Sequence, residues 1–121
     1  MKVLVVDDEA DIRRIARLAL NHVGGMEVAE SDGGGAAVER ALQERPDAIL
    51  LDVMMPGLDG PSVLAALRQE PGTSKIPVIF LTAKAMPADV ERLKGLGAKG
   101  VLPKPFDPMS LAGSVRGMLS S

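Results

Sequence analysis

Apolar residues in this chain of 121 residues gather into short continuous runs, separated by longer stretches where they recur every three or four positions. Residues 3–6, 48–51 and 78–81 form unbroken runs of strand length; residues 26–29 and 101–102 mark two weaker ones. A continuous run, unlike an alternating one, fits a strand covered on both faces, as in a parallel sheet. Between the runs the spacing is helical. Ile12, Ile15, Ala16, Ala19, Leu20 and Val23 share one helix face, with Asp11 as the predicted N-cap and Gly24-Gly25 as the stop. Ala37, Val38, Ala41 and Leu42 predict a second helix that ends before Pro46. Val63, Leu64 and Leu67 predict a third, opened by Pro61 in its first turn. Val90, Leu93 and Leu96 predict a fourth, stopped near Gly95 and Gly97. Leu111, Val115, Met118 and Leu119 predict a fifth, with Pro108 near its start. Strand and helix alternate five times, which predicts an α/β fold: a parallel sheet, helices on both faces and right-handed crossovers. The pattern leaves the strand order open.

Each strong run breaks into a polar residue. Asp7 and Asp8 follow the first, Asp52 the second and Thr82 the third; the last run leads to Lys104, set between Pro103 and Pro105. Parallel strands bring their carboxyl ends to one rim, where open α/β sheets bind ligands. These five residues are therefore predicted to converge. Three carboxylates at close quarters repel one another. Relief comes from a cation such as Mg²⁺, which takes oxygen ligands and keeps several waters, or from the Lys104 ammonium. Carboxylates, an amine and a hydroxyl together suit metal-assisted phosphoryl transfer, with one carboxylate as nucleophile. Asp52 stands alone after its strand and is the preferred nucleophile; the adjacent Asp7 and Asp8 are a natural metal-holding pair. Read singly, each residue has an ordinary role. Asp7 and Asp8 would favour a helix start, Thr82 would cap a strand end and Lys104 would be a surface lysine. Their weight is joint. Glu9, Arg13 and Arg14 read as solvated helix residues, and His22 as a cation near a helix end. Gly33, Gly34 and Gly35 read as a loop and lack the lysine of a phosphate-binding loop.

Composition narrows the classes further. Hydrophobic residues make up 46%, enough to fill one core, and charged residues 25%, which excludes a disordered tail. Aromatic residues are only 2%, the net charge is −2 and no basic patch stands out, so no direct nucleic acid binding is expected. The absence of cysteine removes disulfides, thiol catalysis and thiolate metal sites. The first apolar run is too short for a signal peptide or a membrane span. One domain over residues 1–121 is expected, cytoplasmic, with no membrane contact and no output domain, either standing alone or as the N-terminal piece of a longer protein.

The segments VVDDE (5–9), LLDVMMPGLDG (50–60), FLTAK (80–84) and LPKPF (102–106) stand in an order and at intervals that make the chain resemble, over essentially its whole length, the CheY-like receiver domains of two-component response regulators. The resemblance implies a flavodoxin-like (βα)5 doubly wound sheet with strand order 2-1-3-4-5. It implies that Asp52 is the phosphoacceptor, taking a phosphoryl group from a sensor histidine kinase or a histidine phosphotransfer protein. Mg²⁺ would be bound by the carboxylates of Asp8 and Asp52 and the backbone carbonyl of Met54, and by Asp7 through water. Thr82 would move toward the acyl phosphate, and Lys104 would pair with a phosphoryl oxygen. The Lys104-Pro105 bond would be cis. Such a domain signals to a phosphorylation-dependent protein target, as a monomer or weak dimer, and catalyses only its own phosphorylation and dephosphorylation.

One position departs from the family. Many relatives carry an aromatic ring three residues before the lysine, where this chain has Val101. A small β-branched side chain cannot signal by a large ring rotation, so a small change is expected on the face of the fourth helix, fifth strand and fifth helix. Met54 and Lys84 occupy positions that, in similar domains, flank the path of attacking water; an apolar Met54 implies slow self-dephosphorylation. Three rival readings remain. A flavin module would set a phosphate against Asp7, Asp8 and Glu9, which repel it. An aspartyl phosphatase would want a second acid after Asp52, where Val53 and Met54 stand. A scaffold that binds partners without phosphorylation would not need the full acidic set.

Overall fold

The dry runs form the centre of the molecule. The computed structural model describes residues Met1 to Ser121. Five strands, β1 (Lys2–Val6), β2 (Glu27–Ser31), β3 (Ala48–Asp52), β4 (Val78–Thr82) and β5 (Gly100–Pro103), alternate with five helices: α1 (Ala10–Arg17), α2 (Ala37–Glu44), α3 (Gly60–Gln69), α4 (Pro87–Gly95) and α5 (Leu111–Leu119). All strand pairs are parallel, in the order β2-β1-β3-β4-β5. The order departs from chain sequence once, at β1, where the crossovers change side. That reversal opens the sheet's carboxyl edge between β1 and β3.

Alternation along each strand divides the core in two. Leu4, Val6, Ile49, Leu51 and Phe80 pack under α2, α3 and α4 through Ala41, Val63, Leu67 and Leu93. Val3, Val5, Leu50, Ile79 and Leu81 pack under α1 and α5 through Ala16, Leu111 and Val115. Every residue of β3 and β4 is buried, which is why those two segments read as continuous apolar runs.

Several local expectations change. Helix α1 starts at Ala10, so Glu9 and not Asp11 is the N-cap, and the Glu9 side chain makes no capping bond. At its far end α1 widens into a π-helical turn, Leu18–Val23, in which the Gly24 N–H donates to the Ala19 carbonyl at 3.2 Å. A π turn holds more residues than an α turn. It leaves Ala19 and Leu20 buried and carries Val23 outward, to 47% exposure. Ile15, at the edge of the stripe, and Leu96, just past α4, are also exposed. The three glycines are more than a loop: Gly34–Ala36 is a 3₁₀ turn leading into α2, and Gly34 is buried. A Cβ there would meet a Val63 methyl at 2.6 Å and the Leu58 carbonyl at 2.7 Å, so only glycine lets this turn approach α3. No helix is long and apolar enough to cross a membrane.

Candidate functional site

Strand geometry delivers the site. β1 ends at Val6 and the next residue, Asp7, passes into the rim fully buried; β3 ends on Asp52 and β4 on Thr82, both nearly buried. The Lys104 N–H donates to the Thr82 carbonyl at 2.8 Å, which ties the end of β5 to the end of β4. The Lys104-Pro105 peptide is cis. From there the Lys104 ammonium donates to Asp7 Oδ2 at 2.7 Å and lies 3.2 Å from Asp52 Oδ1. One cation thus spans two carboxylates. A cleft of about 130 Å³ opens beside it, lined by Glu9, Asp52, Met54, Thr82, Ala83 and Lys104.

The electrostatics follow from burial. Asp52 is held above the ordinary carboxylate value by desolvation first and by the charge of Asp7 second; Lys104 and the Met54 N–H pull the other way without prevailing. For Lys104, burial disfavours the ammonium, but the hydrogen bond and charge of Asp7, together with Asp52, outweigh it and raise the amine's value. The lysine therefore stays charged, and the second carboxylate is the strained member of the group.

Asp7 is saturated. Its Oδ1 accepts the Glu9 N–H at 2.9 Å, its Oδ2 accepts Lys104, and its backbone carbonyl accepts Arg13 Nη1 at 2.7 Å. Arg13 also reaches Glu30 at the end of β2, at 3.3 Å, where Arg17 binds the same carboxylate at 2.6 Å. Arg13 is thus a brace between α1, β2 and the acidic corner, and not the free solvated residue its sequence position implies. Asp8 is exposed beside the buried pair. Carboxylate oxygens of Asp7, Asp8 and Asp52 come within 4.8 Å of one another, an all-oxygen set that fits a hard divalent cation.

Two further residues shape the corner. Gly60 starts α3, and a Cβ on it would lie 2.5 Å from the Asp52 carbonyl and 2.8 Å from Val53 Cα, so the helix can begin here only without a side chain. Asp59 caps α3 by accepting the Ser62 N–H at 2.9 Å, a bond that favours the charged form and holds its carboxyl below the ordinary carboxylate value. The segment between β3 and α3 turns at Gly57, with φ of +82°. Thr82 faces its own loop: its hydroxyl accepts the Lys84 N–H at 3.0 Å and lies 3.3 Å from the Lys84 carbonyl, to which it can donate. The sequence offered a signal for Gly60, in the Asp-Gly pair ahead of a helical stripe, but none for Arg13.

A five-stranded parallel sheet with a lysine, a hydroxyl and three carboxylates at its carboxyl edge defines a class, that of signalling domains built on an acidic phosphoacceptor corner. Comparison makes the class specific. The profile of the response regulator receiver domain matches residues 3–116. The chain is 43% identical over 120 residues to a probable transcriptional regulator, ycf27, of Guillardia theta, a match that covers 98% of this chain and 45% of that protein. It is 40% identical over 121 residues to the response regulator PleD of Caulobacter vibrioides, covering 97% of this chain and 26% of PleD. The structure of the chemotaxis protein CheY4 of Vibrio cholerae superposes with a TM-score of 0.88 at 33% identity, covering 97% of both chains. The chain belongs to the receiver domain family of two-component response regulators. It spans less than half the length of these curated relatives. Receiver domains are signalling domains that generally bind Mg²⁺ in an acidic pocket and interact with histidine kinases or phosphotransfer proteins, and Asp7, Asp8 and Asp52 of this chain form a group that could hold a metal ion.

Proposed function

We propose that Asp52 is the phosphoacceptor, and that residues 1–121 act as one receiver unit. The observation that carries this reading is the bridging lysine. Asp52 Oδ1 faces both Lys104 and the Met54 N–H, at 3.2 and 3.3 Å, while Oδ2 has no protein partner. One oxygen is held and the other is left to attack. In the reaction an Asp52 oxygen forms a bond to phosphorus as the bond between phosphorus and the donor's imidazole nitrogen breaks, and the electron pair leaves with the histidine. Lys104 then shifts its charge toward a phosphoryl oxygen, and the Thr82 hydroxyl leaves Lys84 to donate to another.

Asp8 and Asp52, with the Met54 backbone carbonyl, would hold Mg²⁺, and Asp7, whose carboxylate is already engaged, would act through water. When bound, the metal neutralises charge on the transferring oxygens and orients them. The unit has no other substrate; it catalyses its own phosphorylation and hydrolysis and passes the state to a protein target. Met54, 73% exposed and without a polar group on its side chain, offers attacking water nothing to bond, which supports slow hydrolysis.

Incubation with Mg²⁺ and acetyl phosphate, followed by intact-mass measurement, tests the reading. One phosphate increment is expected, and none in Asp52→Asn. An unmodified wild type rejects it and favours the scaffold, and an increment that survives in Asp52→Asn rejects Asp52 and places the phosphate on another residue.

A further inference from the structure

We propose that Met54 is a site of oxidation by peroxide, and that its sulfoxide shortens the lifetime of the phosphoryl group on Asp52. The inference rests on the phosphoacceptor reading above.

The position of the side chain carries the argument. Met54 is 73% exposed, while its neighbour Met55 is 7% exposed and Met26 1%. It lines the phosphoacceptor cleft, and it also lines a second, larger groove of about 500 Å³ that runs past Pro56 to Arg92 on α4. Met54 therefore borders both spaces, and most of its surface is open to solutes. Met86 and Met109 are about as exposed, but neither lines the cleft. The chain has no cysteine, so no thiol of its own competes for oxidant. Meanwhile the Met54 main chain is anchored: its N–H donates to Asp52 Oδ1 at 3.3 Å. The side chain can change its chemistry while its root stays on the phosphoacceptor.

The step balances simply. One oxygen of hydrogen peroxide is transferred to the sulfur, an S–O bond forms as the O–O bond breaks, and water leaves. The sulfur loses two electrons and the peroxide gains them. The product differs from the reactant in the property that governs hydrolysis. Water that attacks an acyl phosphate must be held in line with the bond that breaks, and an acceptor beside its path holds it. A thioether is a weak acceptor, whereas a sulfoxide is polar and accepts strongly. Oxidation thus adds, at the mouth of the cleft, the hydrogen-bonding group that methionine lacks. The phosphorylated state becomes shorter-lived when peroxide is present.

The test follows phosphate loss from the intact protein. Protein phosphorylated with acetyl phosphate and Mg²⁺ is freed of donor and divided, one half is treated with hydrogen peroxide, and oxidised methionines are mapped by peptide mass. Oxidation at Met54 and a several-fold faster decay are expected. The acceleration should persist in the double variant Met86→Leu, Met109→Leu, vanish in Met54→Leu relative to that variant's own untreated rate, and reverse with methionine sulfoxide reductase. Met54→Gln, which carries an acceptor without oxidation, should decay fast in both halves. A Met54 that stays reduced while Met86 and Met109 oxidise overturns the proposal, as does an oxidised Met54 with an unchanged or slower decay. Failure of untreated protein to take up phosphate is a different result, which removes the phosphoacceptor reading and this inference with it.

Discussion

At the residue scale the unmodified site is defined by an excess of negative charge. Lys104 balances one of the two buried carboxylates it touches, and Asp52 is the one left above its ordinary value. A raised carboxylate means that the folded chain binds a proton more readily than the unfolded one. Its charge therefore opposes folding above the raised value, and the penalty fades as pH falls toward 3.8, the ordinary value. Lys104 has the opposite window. Its contribution is complete below 10.5 and is lost as pH rises through its higher folded value. Asp52→Asn removes the penalty while Lys104 keeps its 2.7 Å contact with Asp7. At pH 7 and without divalent cations, this variant should gain about 1 kcal/mol, or roughly 4 °C in midpoint. Thermal unfolding checks it, and a variant less stable than wild type contradicts the account. Magnesium should raise the wild-type midpoint and move that of Asp52→Asn much less.

At the element scale, the site depends on how closely helices approach strand ends. Gly60 is the sharpest case, because a methyl there would press on the Asp52 carbonyl, which is main chain and cannot step aside. Gly60→Ala should cost about 1–3 kcal/mol. Urea unfolding measures it, and a midpoint equal to wild type would show that the α3 start yields freely. Such contacts explain what the sequence did and did not disclose. Strands β1, β3 and β4 were legible because each is a dry run that ends in a polar residue, and four of the five rim residues fall at or just past a strand end for that reason. Helix stripes were legible in α3 and α5, and in α2 apart from Leu42, which was expected on the core face and is exposed. The π turn was not, since its widened register appears only in Leu20 facing the core while Val23 turns outward. Arg13 was not, since its partners Asp7 and Glu30 belong to β1's end and β2. Gly34 looked like loop composition until Val63 was seen against it.

At the scale of the whole molecule, the question is how the rim reaches the far face. Val101 lies on β5 beside Phe80 and is 8% exposed, packed in the same cluster as Leu93 of α4. It packs among Phe80 and aliphatic neighbours, and no tyrosine or tryptophan exists in the chain to move there. Addition of beryllofluoride and Mg²⁺ should thus give large amide shift changes near Asp52, Thr82 and Lys104 and small ones across α4, β5 and α5. Heteronuclear NMR reads both. Shifts over that face as large as those in a relative with an aromatic residue at this position would mean that signal crosses by another route.

The Thr82 hydroxyl, closed on the N–H and carbonyl of Lys84, has a thermodynamic consequence. Lys84 is exposed, so when the hydroxyl departs, water replaces it at both backbone groups, and the exchange trades hydrogen bonds in nearly equal number. If the departing Thr82 hydroxyl also finds a partner, the two arrangements differ by little free energy and both would be populated before any phosphate arrives. A partner that prefers the released loop would then draw the domain toward the state that also receives phosphate best, and phosphate would tighten that partner by the same factor. Such a target would be, in this sense, a cofactor of the phosphorylation it responds to.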